Sequence, residues 1–192
     1  MRTLMIAIHP EHGVNILNLI KKLEVRSWQP KGELPIKVLI YITKGEPYLT
    51  WDYNMNHLGS MWKVFELHEE KDNDYQYLNG KVVAKFILNK AEDIIMRKIC
   101  GEWEVYGSEN GQDSLIQKSC LTQKEIFRYF KGNNGYAWKI DDLVIFDKPK
   151  ELGEFYHYKK KLIDCGMDCP PYIDEVKVPL TKAPQKMVWV EE

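Results

Sequence analysis

The chain has 192 residues, with 27 lysines and arginines against 28 aspartates and glutamates, a formal net charge of −1. Near neutrality excludes a protein that coats nucleic acid through bulk positive charge, yet leaves room for a local cationic cleft. No apolar run approaches the roughly 20 residues a membrane helix needs. The proportions of hydrophobic (44%) and charged (29%) residues are those of a single folded globular domain.

Residues 3–8 predict a strand, since Leu4 to Ile8 form a short apolar run. Five apolar residues are too few for the core of an export signal, which points to the cytoplasm. His9-Pro10 predicts a helix start, with Pro10 at the first helical position and Glu11 at the positive end of the dipole. Val14, Leu17 and Ile20 mark one apolar face, and Lys21-Lys22 are expected to close the helix. Residues 23–28 then alternate: Leu23, Val25 and Ser27 on one side of a strand, Glu24, Arg26 and Trp28 on the other. A turn between Pro30 and Pro35 leads into residues 36–43, a β-run apolar on both faces and ended by Lys44-Gly45.

Residues 45–79 show weak periodicity and carry Tyr48, Trp51, Tyr53, Trp62, Phe65, Tyr75 and Tyr77. So long a stretch is expected to be functional or to carry structure of its own, either as a stacking lid anchored by Trp51 and Trp62 or as a satellite apolar cluster. After the Asn79-Gly80 turn, residues 81–88 alternate as a strand, with a bent extension expected to reach Ile95, and residues 102–106 read as another. Residues 108–114 read as a polar loop. Thr122-Gln123-Lys124-Glu125 is a capping box, and Gly132 suits the C-cap of the helix that follows. Strands are expected at residues 136–140 and 143–146, a short helix capped by Asp147 up to Phe155, and a last strand at 187–190. Residues 157–184, with the Lys159-Lys160-Lys161 run, read as irregular. Six or seven strands with three helices predict an α+β, mainly β fold, a small barrel with peripheral helices.

Cys165 and Cys169 are four apart, a spacing looser than zinc pairs prefer and without two further ligands nearby, so no metal site and no cofactor are expected, and reduced thiols are the simpler reading for these and for Cys100 and Cys120. The five histidines show no metal-ligand spacing, and neither a phosphate-binding loop nor a nucleophile elbow is present, which sets aside kinase, nucleotidase and serine-hydrolase chemistry.

Two segments carry a family likeness: Ile8-His9-Pro10, Ile16-Leu17 and Lys21-Lys22-Leu23-Glu24-Val25-Arg26, then Gly135-Tyr136-Ala137-Trp138-Lys139-Ile140 running into Phe146-Asp147-Lys148-Pro149-Lys150-Glu151-Leu152. With the strand at 36–44 and Gly80-Lys81-Val82-Val83, they resemble the ASCH domain family of PUA-like β-barrels, over most of residues 4–155. The resemblance implies a single PUA-like domain spanning 1–192, with insertions at about 45–79 and 157–184. It also implies a cleft between barrel and helix that binds RNA. One departure stands out: the family's glycine two places before the lysine is Leu19 here. Leucine enters a left-handed turn at a cost, so the helix is expected to run a turn longer.

The candidate ligand-binding residues are Lys21, Glu24, Arg26, Trp28 and Lys44. Arginine's planar fork reads phosphate or a base edge, glutamate orients that fork or accepts a base amino group, and an indole stacks. The bland alternative is an exposed strand face bearing a self-satisfied ion pair, with Lys44 an ordinary solvated strand end. The expected function is binding of RNA or a nucleotide-like ligand in a basic, aromatic cleft. An amidohydrolase acting on a modified nucleoside such as acetylcytidine is the second reading, implied by one branch of the family that uses Lys, Thr and Glu. Lys21 matches that lysine, Glu24 stands where the threonine would be, and Glu92 is a guess for the glutamate. A protein-interaction module that uses the two insertions is the third reading.

Overall fold

The computed structural model describes residues 3–55, 61–72, 74–109, 111–163 and 172–191. The fold is mainly β with three α-helices among these residues. A five-stranded sheet is built from β1 (Thr3–Ile8), β3 (Ile36–Ile42), β6 (Val82–Leu88), β10 (Asp141–Lys150) and β13 (Met187–Val190), in the order β10-β6-β3-β1-β13. β1 runs parallel to β3 and antiparallel to β13, with Thr3 opposite Val190. A four-stranded sheet is built from β2 (Leu23–Arg26), β7 (Ala91–Ile99), β8 (Glu102–Gly107) and β9 (Gly135–Lys139), in the order β2-β9-β7-β8. The two curled sheets face one another, and neither closes into a hydrogen-bonded ring among the described residues.

The continuous apolar runs of β1 and β3 follow from burial on both faces. Leu4, Ile6, Val38, Ile40 and Phe86 enter the central core between the sheets, where Trp138 of β9 is fully buried. Met5, Leu39 and Tyr41 point the opposite way and are covered by Phe155, Leu180 and Val190. A third core lies behind the second sheet: Leu23, Val25, Ile94, Met96, Val105 and Ala137 pack on α2 (Gly111–Ser119) and α3 (Gln123–Phe130) through Leu115, Ile126 and Phe130. Gly135 is required at this contact, because a Cβ there would stand 2.1 Å from the Phe130 ring.

Helix α1 (Pro10–Leu17) starts as expected, with His9 as N-cap and Pro10 at the first position, but it ends earlier than the sequence suggests. The Asn18 side chain is taken by the backbone of Phe65: its Nδ2 donates to the Phe65 carbonyl at 2.8 Å and its Oδ1 accepts from the Phe65 amide at 3.1 Å. Leu19 then adopts φ +62°, and the Leu19 and Ile20 amides donate to the Ile16 and Asn15 carbonyls. This is a Schellman ending with leucine where glycine is usual. The helix is therefore shorter, not a turn longer, and Lys21 and Lys22 lie beyond it.

Other expectations change as well. The β2 strand stops at Arg26, so Ser27 and Trp28 fall outside it. Residues 45–79 contain a hairpin, β4 (Tyr48–Met55) and β5 (Met61–His68). Leu49 and Phe65 root it in the central core beside Leu78. The expected loop at 108–114 overlaps α2. The expected helix after Asp147 is the end of β10, followed by a single 3-10 turn at Leu152–Glu154. Residues 157–184 include a ribbon of β11 (Tyr156–Ile163) and β12 (Tyr172–Pro179) that carries the lysine run. The capping box of α3 forms as read, though Lys131 at φ 53° is the C-cap, with Gly132 one residue further.

Candidate functional site

Among the described residues the buried charged side chains are Lys21, Glu24, Arg26 and Glu92. Three of them meet at one place, where the edge strand β2 passes the end of β1. Arg26 Nε lies 2.9 Å from Glu24 Oε1, and Lys21 Nζ lies 3.6 Å from Glu24 Oε2. The Nε–H finds no well-aimed acceptor, so the first contact is ionic more than a directed hydrogen bond. Arg26 Nη2 donates to the Ala7 carbonyl at 2.9 Å, and Lys21 Nζ donates to the Ser119 carbonyl at 2.6 Å. One carboxylate thus serves two cations, each also tied to a backbone carbonyl, Ala7 near the end of β1 or Ser119 at the end of α2. Removing a single member of such a set strands a buried charge, at a cost of about 3–5 kcal/mol.

These side chains form one wall of a cleft of about 420 Å³. The start of α1 supplies His9, Glu11 and His12, while Leu121, Glu125 and Tyr129 close it from the α3 side. Burial and the Lys21 ammonium push the His12 imidazole below its ordinary value of about 6.5, against the opposing pull of Glu24 and Glu11. His12 is therefore neutral near pH 7. Glu125 is held below the usual carboxylate range by hydrogen bonds from the Thr122 amide and hydroxyl, each 2.7 Å. Two cations, Lys21 and Arg26, consequently face three carboxylates, Glu11, Glu24 and Glu125. The cleft offers many donors and acceptors without being strongly basic.

The sequence candidates divide. Lys21, Glu24 and Arg26 share the cleft. Trp28 does not: its ring packs edge-on against Trp138, centroids 4.8 Å apart, as part of the central core. Glu24 pairs with Trp138 across the β2–β9 register, so the indole lies on the face that Glu24 also uses, but it is spent on core packing and does not line the cleft. Lys44 lies with Asn79, Gly80, Lys81 and Glu151 at another surface. Glu92 pairs in register with Ala137, which in turn faces Val25, so it stands on the helix-covered side of the sheet, away from Glu24, and accepts from the Glu109 amide at 3.1 Å. The Trp51 lid is absent from the cleft as well: Lys63 lies over the Trp51 ring at 4.4 Å, and both pack against β10. Cys165 and Cys169 lie outside the described residues. No cluster of metal-ligating side chains occurs among the described residues, and no helix there is long and apolar enough to cross a membrane.

Sequence reasoning missed His12, Tyr129 and Glu125. For His12 a signal was present, since residues 9 and 12 flank the first turn of a helix that begins directly after β1. Tyr129 and Glu125 are four apart on α3 and share a side, but nothing in the sequence says which sheet edge they meet. No family model matches the chain, and neither a curated protein nor a solved structure matches it.

Proposed function

We propose that the protein is a PUA-like module that binds a nucleobase or nucleoside, carried by RNA or a nucleotide-like ligand, in the cleft between β2, α1 and α3. The observation that carries this reading is the convergence of Lys21, Glu24 and Arg26, all nearly buried, on a cleft of about 420 Å³. That volume lies within the range of small-molecule sites. The charge balance favours an uncharged polar group over bare phosphate, because the three carboxylates outnumber the two cations. A base edge carries donors and acceptors side by side, which suits a wall of guanidinium, carboxylate and imidazole. The resemblance to the ASCH family supports the same reading.

Isothermal calorimetry with the four ribonucleosides tests it. At least one is expected to bind, and Glu24→Gln, which keeps the shape and removes the charge, is expected to weaken that binding about tenfold or more. Native protein that gives no heat with any of them, and no shift in any RNA titration, refutes the reading.

His12 favours a second reading, hydrolysis of an acylated nucleoside. A neutral imidazole beside an ammonium can take a proton from water as the oxygen adds to an amide carbonyl, then pass it to the departing amine. Water thereby adds across the C–N bond, and acetate and the free base amine leave. Mass spectrometry of acetylcytidine before and after incubation decides this: turnover abolished by His12→Asn supports it, and no turnover by the native protein removes it.

A further inference from the structure

Helix α3 is a wall between two hollows. Glu125 and Tyr129 look into the cleft, while Lys124, Phe127 and Arg128, on the neighbouring side of the same helix, line a wider groove against the start of β8. The floor of that groove is aromatic. Trp103 is 42% exposed, and its ring lies 5.3 Å from that of Phe127 at 42°. The Trp103 carbonyl accepts from Gln123 Nε2, which fixes β8 against the first turn of α3. Lys98 stands directly opposite Trp103 in the β7–β8 register, so it shares that face. Lys124 and Arg128 are exposed, one turn apart, and among the described residues Glu102 is the single carboxylate lining the groove.

An open indole ringed by exposed cations is the chemistry of a single-stranded nucleic acid platform: the base stacks and the backbone finds positive charge. The cleft lacks what this groove has, since its carboxylates offset its cations. Resting on the reading of the cleft given above, we propose that the substrate is a single-stranded polynucleotide, not a free nucleoside. One base occupies the cleft, the chain crosses α3, and a flanking nucleotide stacks on Trp103 with its phosphate between Lys124 and Arg128. A helix with its side chains is about 10–12 Å across, a span that a few nucleotides cover.

The test is fluorescence anisotropy with a labelled mixed-sequence RNA decamer between 50 and 200 mM salt, alongside ribonucleoside calorimetry. Trp103→Ala is expected to weaken decamer binding by roughly five- to a hundredfold. The double variant Lys124→Gln with Arg128→Gln is expected to flatten the plot of log affinity against log salt by about 0.7, one phosphate contact's worth. These residues are outside the cleft, and nucleoside binding should be unchanged in both variants. Decamer affinity and salt slope that match the native protein overturn this proposal and leave the cleft reading intact. Nucleoside binding that is absent while the decamer still depends on Trp103 overturns the cleft reading instead, and with it the path across α3. Displacement of the decamer by an equimolar deca-glutamate peptide identifies the groove as a site for acidic protein segments and also overturns the proposal.

Discussion

Leu19 and His12 show how single residues set the geometry of the cleft. Leu19 at φ +62° spends about 1–2 kcal/mol to hold a conformation that glycine adopts freely, and it is largely exposed, so little packing compensates. The turn it makes releases the chain from α1 and sends Lys21 inward towards Glu24. Leu19→Gly is expected to raise stability by about 0.5–1 kcal/mol in urea denaturation, with binding unchanged; a loss of stability would mean that the side chain packs more than its exposure implies. His12 makes stability depend on pH. Its folded imidazole titrates below its unfolded value of about 6.5, so the unfolded chain takes up the proton first as the pH falls. The His12 contribution is fully present above pH 6.5 and is lost as pH drops through the lower, folded value. The charges facing it are Lys21 and His9, which oppose protonation, and Glu24, Glu11 and Glu125, which favour it. Melting curves of His12→Asn should lack this decline below pH 6.5, although carboxylates such as Glu125 still titrate at lower pH. The alternation of Leu23, Glu24, Val25 and Arg26 was enough to find the charged cluster. The alternation could not show that Trp138, directly opposite Glu24, would draw the Trp28 indole into the core and away from the cleft.

At the scale of elements, legibility followed burial. β1, β3 and β6 are covered on both sides or nearly so, and their sequences are unbroken or cleanly alternating apolar runs. The α3 start was legible because a capping box is a local device: Thr122 Oγ1 accepts from the Glu125 amide at 3.3 Å while the carboxylate reaches back. The β4–β5 and β11–β12 ribbons were not, because their outer halves bury neither face. Met55, Met61 and Trp62 on one, and Leu162 and Ile173 on the other, are exposed, so no solvent-to-core alternation marks them. Helix α2 was hidden for a related reason, since Leu115 and Ser119 are its buried residues and the rest of GQDSLIQKS is polar or partly exposed. The cap of α3 matters beyond its own helix, since both proposed hollows lean on it. Thr122→Ala is expected to cost about 1 kcal/mol and to loosen the first turn, where Lys124 and Glu125 sit. Amide hydrogen exchange should rise at residues 124–126 and stay unchanged in β3; protection equal to native would show that packing through Ile126 holds the turn without its cap.

Across the whole molecule, the two sheets share a core that neither completes alone. Trp138 belongs to the second sheet but is buried among Leu4, Ile6, Val38 and Phe86 of the first, with Trp28 against its edge. Trp138→Ala is expected to cost about 3–5 kcal/mol, and a single urea transition should shift as one unit. Two separated transitions would show that the sheets unfold independently. The candidate cleft depends on this union, because β1, α1, β2 and α3 each contribute to its walls. Its three-dimensional assembly was invisible in the sequence for the same reason: Lys21 and Ser119 are 98 residues apart, yet bonded.

The pairing of β1 with β13 has a consequence for biogenesis. Residues near the beginning of the described chain wait for residues 187–190 before that side of the five-stranded sheet is sealed. Until then β1 is a bare, largely apolar border with unmet amides and carbonyls, the kind of template on which a neighbouring nascent polypeptide can add itself. Any shortened form that stops before Met187 keeps that border for its lifetime. Such forms should therefore gather into aggregates through strand addition at β1.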